Sequence, residues 1–292
     1  MDSRDEFSDF LTSRRARITP AQAGLPTYGT TNRRVPGLRR EEVALLAGVS
    51  VEYYTRLERG NARGVSESVL DNLSRALQLD EAERAHLFDL ARAATTPTTP
   101  RRPPKQQVRP IIHRILDAME GTPAHVRNAR FETLAINRMG RALFAPVFEG
   151  RQLPVSHARF IFLDSRAESY YGDWEKTAND VVAALRSEAG RNPYDRALTD
   201  LVGELSTRSE FFRTRWAAHN VRFHNAGQKL FHHPVVGDLH LEYESLDLKD
   251  GSGLVMNVYS AEPGSASQDA MKLLASWAAT VDREEAESRG RG

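Results

Sequence analysis

GLRREEVALLAGVSVEYYTRLERG, residues Gly37–Gly60, decides how the chain is read. Two short helical patterns meet there at Gly48-Val49-Ser50. The first, Leu38–Ala47, has Leu38, Val43, Leu46 and Ala47 apolar and four charged residues, Arg39–Glu42, in its first turn. The second, Val51–Arg59, has Ser50 placed as its N-cap and Gly60 as its C-terminal stop. Two helices joined by a short Gly-containing turn are the signature of helix-turn-helix DNA binding. An ordinary hairpin inside a larger helical core has the same spacing, so the flanking chain has to decide.

Charge decides first. The 292 residues carry a net charge of only +1, but Phe10–Gly64 holds ten Arg and four Glu, a net of +6. That is a basic patch around one hairpin rather than a basic protein. The chain has no cysteine, which excludes disulfides, thiolate metal sites and cysteine nucleophiles. The N-terminal MDSRDEFSDF lacks a basic start and an apolar run. No apolar stretch approaches the roughly 18 residues of a membrane span. A cytoplasmic, nucleoid-associated protein without membrane contact is expected.

Around the hairpin the periodicity is helical. Asp5–Ile18 sets Phe7, Phe10, Leu11 and Arg14 on one face, and a long connection, Pro20–Pro36, follows. Ser66–Leu79 and a helix capped by Asp80 complete five helices within residues 1–93, an all-α domain. Residues 94–110, ATTPTTPRRPPKQQVRP, contain five of the 14 prolines and read as a semi-rigid linker. Residues 111–283 read as an α+β domain. Short strands are expected at Ala124–Asn128 and Phe131–Ile136, then several helices, including Trp174–Ala189. Further strands are expected at Val221–His224, Gln228–His232, Leu239–Leu248 and Leu254–Ala261, and a closing helix at Ala266–Val281. The apolar phase shifts between Tyr243 and Leu246, which predicts a bulge. Residues 284–292 are expected to be a disordered tail.

Helical spacing turns Tyr54 and Leu57 inward and leaves Val51, Glu52, Tyr53, Thr55 and Arg56 as base-reading candidates. Arg56 can bond guanine, Glu52 can accept from cytosine, and Val51 can touch a thymine methyl. Arg33, Arg34, Arg39, Arg40, Arg59 and Arg63 are the phosphate candidates. Glu58 is read as structural, paired with Arg14 or Arg15.

In the second domain, Arg213, Arg215, His219, His232 and His233 could hold a carboxylate. The pocket behind them would be lined by Phe160, Phe162, Trp174, Phe211, Phe212, Trp216 and Tyr259; the same aromatics could equally fill a core. Five histidines, His219, His224, His232, His233 and His240, lie within 22 residues. They match no zinc-ligand spacing, so no metal and no cofactor are expected. Catalytic and phosphate-loop motifs are also missing.

Residues 5–93 resemble the xenobiotic-response-element class of helix-turn-helix regulators. Arg33–Gly60, RRVPGLRREEVALLAGVSVEYYTRLERG, is similar to the members with an MmyB-like C-terminal domain. The second half resembles them through Asp173-Trp174, Val182–Arg186, Ser209-Glu210-Phe211, Trp216, His232–Gly237 and Glu262–Ser265. The resemblance implies a lambda-repressor-like five-helix domain followed by a PAS-like ligand-binding domain, with fatty acids as the best-known ligand class. The expectation is a homodimeric transcription regulator, not an enzyme, that binds double-stranded operator DNA and senses a small apolar or amphipathic ligand. A DNA-tethered enzyme and a protein-interaction module stay open for the C-terminal half. Base contacts carry over loosely, because Val51-Glu52-Tyr53 stands where many members carry polar Gln, Ser or Thr.

Overall fold

The computed structural model describes residues 3–26, 35–95, 106–221 and 226–290. Arg33, Arg34, His224 and most of the Pro-rich segment lie outside them. The chain divides into two compact units. The first comprises residues 1–102, 182–206 and 213–223, and the second residues 103–181, 207–212 and 224–292. Two stretches from beyond the Pro-rich segment therefore belong to the first unit.

That unit opens with α1 (Ser3–Arg17), α2 (Arg40–Ala47), α3 (Val51–Glu58), α4 (Glu67–Ala76) and α5 (Glu81–Thr95). Phe7, Phe10, Leu38, Val43, Tyr54, Leu57, Leu73 and Leu87 share one core. The α2–α3 turn is built by its caps. Gly48 takes φ 66°, a left-handed conformation that closes α2 and suits a residue without Cβ. The Ser50 hydroxyl accepts from the Tyr53 amide at 3.1 Å and starts α3. Asp80 and Glu83 cap α5 reciprocally, at 2.8 and 3.2 Å. Glu58 is buried at the end of α3, where Arg15 reaches it at 2.5 Å and Arg40 also binds it. Arg14 instead meets Glu83 at 3.2 Å.

The second unit is an antiparallel sheet covered by helices. Its chain order begins α6 (Pro110–Ala118), β1 (Ala124–Arg127), β2 (Glu132–Ile136), α7 (Arg138–Leu143), α8 (Ala145–Phe148), β3 (Val155–Ser156), α9 (His157–Leu163) and α10 (Arg166–Tyr170). The chain continues with α11 (Trp174–Arg191), α12 (Arg196–Arg208) and α13 (Glu210–Ala217), of which residues 182–206 and 213–217 belong to the first unit, and then β4 (Ala226–His233), β5 (Gly237–Asp247), β6 (Val255–Ser260) and α14 (Ala266–Gly290) of the second. The six strands run β3-β2-β1-β6-β5-β4. The β1–β2 hairpin thus lies beside β6, with α7 against β1, α9 against β2 and α10 against β4. On the other face Ala124, Val126 and Met256 pack with Ile112 and Leu116 of α6.

Two expectations are corrected. The bulge is not in β5, which pairs with β4 and β6 without a register shift. It lies at Val126/Arg127, between β1 and β2. The phase change in β5 arises because Ser245, on the same face as Tyr243, is a polar residue turned inward, while Leu246 is 48% exposed. The C-terminal segment is also helical as far as Gly290. Its run of Glu, Ala and Arg consists largely of strong helix formers, which extend α14.

Within the first unit the stretches 182–206 and 213–223 are held by Arg186, which is 2% exposed. Its guanidinium bonds Glu6 of α1 and the Trp216 carbonyl, both at 2.5 Å, and lies 4.1 Å from the Trp216 ring. His219 Nδ1 is 3.0 Å away. Glu6→Ala, which strands this guanidinium, is expected to cost about 3 kcal/mol in urea unfolding. The double variant Glu6→Leu, Arg186→Met should recover much of that loss, and a strictly additive double variant would contradict the pairing.

Candidate DNA-reading surface and ligand chamber

On α3 the outward side chains are those that spacing selects. Val51, Glu52, Arg56 and Arg59 are exposed, and Tyr53 and Thr55 are half-buried. Val51, Glu52, Thr55, Arg56, Arg59 and Asn61 line one open depression. The Arg56 guanidinium sits 4.6 Å from the Tyr53 ring, so the side chain best suited to guanine is braced by its neighbour. Asn61, the residue just past the Gly60 stop, is an addition that helical spacing alone did not select.

Among the phosphate candidates, Arg39 is the N-cap of α2, and its amide bonds Glu42 at 2.6 Å. Its side chain is exposed and touches Glu41 at 3.3 Å. Arg63 is exposed. Arg40 is half-exposed but tied to Glu58, which raises its pKa chiefly through that hydrogen bond. Its charge is therefore held in place at the foot of the hairpin.

The second unit contains a different kind of surface. Cross-strand partners share a face of a sheet. The pairs Lys229↔Leu241, Phe231↔Leu239, Tyr243↔Tyr259, Ser245↔Asn257, His125↔Asn257 and Arg127↔Thr133 therefore define one inner face. Helices α7–α10 add Phe144, His157 and Tyr170, with Tyr171 just past α10. His125 and His157 stack at 5.2 Å, with Phe144 edge-on to both at 5.4 and 4.9 Å. Phe231 and Tyr259 close on Phe144 at 5.7 and 5.4 Å. The Lys229 ammonium lies 5.3 Å from the Tyr243 ring centre and 5.9 Å from that of Tyr171.

This interior is aromatic but not dry in character. His125 Nδ1, His157 Nε2, Thr133 Oγ1, Ser245 Oγ and Asn257 Oδ1 are buried without hydrogen-bond partners. Burial pushes His157 down to about 3, helped by the positive charges of Lys229 and Arg127, and holds His125 well below its usual value. Lys229 is lowered to about 8, mainly by burial.

The expected pocket residues are dispersed rather than convergent. Tyr259 is on the inner face, and Phe160 adjoins it through Tyr170 and Tyr171 at 6.0 and 6.3 Å. Phe162 packs on Phe212 at 5.0 Å as a buried pair, and Trp174 packs on Phe211 at 4.7 Å as a half-buried one. His232 is exposed and bonded to Asp238 at 2.6 Å. His233 is buried, with Nε2 3.0 Å from the Ala142 carbonyl. Arg213, Arg215, Trp216 and His219 belong to the first unit. His125, Arg127, Thr133, His157, Lys229 and Asn257 were not selected, because only the strand register brings them together. Among the described residues, no three His, Asp or Glu side chains form a metal-binding group, and no helix is long and apolar enough to cross a membrane.

A model of the helix-turn-helix domain matches residues 6–87. A model of the MmyB-like transcription regulator ligand binding domain matches residues 108–274, more than half of the chain. The chain belongs to the MmyB-like transcription regulators. No curated protein matches it. This MmyB-like regulator thus joins a helix-turn-helix DNA-binding domain to a ligand-binding domain with an α+β, PAS-like fold. Residues 182–206 and 213–223, which pack in the first unit, lie inside the matched ligand-binding stretch.

The buried histidines set an acid limit. His86 and His157 are lowered to about 3 and His219 to about 4, each chiefly by burial. Their folded pKa values lie below the unfolded value, so the unfolded chain binds the extra protons. Stability is then full above pH ~6.5 and falls as pH drops toward ~4, by up to about 1.4 kcal/mol per unit for each histidine. Urea unfolding of the protein should show this slope, and His157→Gln should make it shallower.

Proposed function

We propose that this MmyB-like regulator binds operator DNA as a homodimer and is switched by an amphipathic ligand of the fatty-acid class. The observation that carries the ligand reading is the inner face of the second unit's sheet. It combines several aromatic rings with unpartnered polar atoms, a composition suited to a molecule with an apolar body and one polar end.

For DNA, α3 enters the major groove with Val51, Glu52, Tyr53, Thr55 and Arg56 toward the bases. Arg39, Arg40, Arg59 and Arg63, together with Arg33 and Arg34, meet phosphates. A single small module binds weakly, and two recognition helices on a two-fold axis match half-sites about 34 Å apart. Ligand changes the population of the dimer arrangement that fits this spacing. Such a regulator works on chromosomal DNA in the cytoplasm.

Selection of bound duplexes from a random pool should give a two-fold symmetric site, and sedimentation should give a dimer on it. Against that site, Arg56→Ala should cost about 1–3 kcal/mol and relax the preference at one base pair. Arg39→Ala should weaken all duplexes alike and reduce the salt slope by about one. Equal, sequence-blind losses from both would mean that α3 is not the reading helix.

A further inference from the structure

We propose that a second copy of this chain docks along α14, the two helices pairing antiparallel across a two-fold axis beside Ser276. The inference rests on the homodimer reading above and names the surface that makes the dimer.

The apolar arc of α14 is wider than its own unit covers. Ser267, Met271, Leu274 and Ala278 are buried, and the helix packs on β5 and α7. A second stripe runs one position ahead of the first, through Ala266, Ala270, Leu273 and Trp277, and Val281 continues it. Leu273 is 64% exposed and Trp277 is half-buried. The Trp277 ring lies 6.3 Å from that of His233, whose Nδ1 accepts from the amide of Val235, another exposed apolar side chain. A single exposed leucine is ordinary, but a stripe spaced by threes and fours along one helix is the seam of a helix pair. Past Val281 the described side chains, Asp282, Arg283 and Glu287, are exposed. Helical turns that pack on nothing are marginal in water, so this end of α14 gains from a neighbour alongside it.

Charge selects the neighbour and its direction. Asp269 and Arg283 lie seven residues on either side of Ser276, so helical spacing puts all three on one edge of the stripe. Antiparallel pairing about Ser276 sets Asp269 of each copy opposite Arg283 of the other. It also sets Leu273 of each copy against Trp277 of the other, and lays the exposed last turns beside the other helix's first turns. Parallel pairing would bring like charges level, Asp269 with Asp269 and Arg283 with Arg283. Asp269 bonds Lys272 at 2.8 Å, and Arg283 bonds the Ala279 carbonyl at 3.2 Å. Both contacts are exposed and local to the helix, so they exchange at little cost. A pattern complementary to itself is what an isologous two-fold contact requires.

The chain has no cysteine, so a single introduced thiol reports proximity. In the full-length protein, Ser276→Cys should be joined into a covalent dimer by a short bis-maleimide. Lys249→Cys, exposed in the turn between β5 and β6, should not be. In sedimentation, Leu273→Glu should weaken self-association by at least about tenfold. Asp269→Arg and Arg283→Asp should each weaken it by about threefold, and the two together should restore it. Far-UV circular dichroism shows that each variant is folded. A dimer that withstands Leu273→Glu and both charge reversals, with Ser276→Cys left uncoupled, would overturn the α14 contact and leave the homodimer standing. A wild-type chain that sediments as a monomer even on the selected duplex would overturn the homodimer reading itself.

Discussion

Arg186 is the interaction on which the first unit's architecture depends. A guanidinium keeps its charge at any physiological pH, so burying one demands partners on several sides. Here α1 supplies a carboxylate from Glu6, α13 supplies the Trp216 carbonyl, and the turn after α13 supplies the His219 ring. Arg14 of α1 reaches back to the His219 carbonyl. Three segments far apart in sequence must therefore meet for either charge to be satisfied. Gly190 fits the same packing: a Cβ there would lie 2.5 Å from the His86 ring, so α11 approaches α5 as closely as a missing side chain allows. The helix-turn-helix core is consequently larger than its five helices, and the additional part comes from sequence matched by the ligand-binding family.

The second unit uses buried polarity differently. In the first unit Arg186, Glu6, Arg14 and Glu83 neutralise one another within the protein. In the second, burial lowers the pKa of His125, His157 and Lys229, and several polar atoms are left without partners. An apolar core of the same shape would be more stable, because each unsatisfied buried group costs about 1–3 kcal/mol. Such a cost persists where a bound molecule offsets it. The same arrangement gives a ligand its leverage, since it stabilises only the state in which these groups converge.

The chain's legibility follows the range of its interactions. The hairpin was readable because its determinants are local: Ser50 caps α3, Gly48 and Gly60 end helices, and Tyr54 and Leu57 follow helical spacing. The role of Glu58 was visible in its position beside a basic first helix, although Arg40 as its second partner was not. The chamber was much less readable. His125 and Arg127 look like surface positions on a short strand until β1 is known to lie next to β6, opposite Asn257 and Val255. Five clustered histidines suggested a site, yet they scatter; His232 is exposed and His219 belongs to a different unit. The effective pair, His125 and His157, is separated by 31 intervening residues. Ser245 misled in the opposite direction: its polarity at an inward position imitated a bulge.

Any switching must be expressed as a difference in free energy between two arrangements of the regulator. To move a two-state equilibrium from 1:99 to 99:1, a ligand must favour one state by about 5.5 kcal/mol.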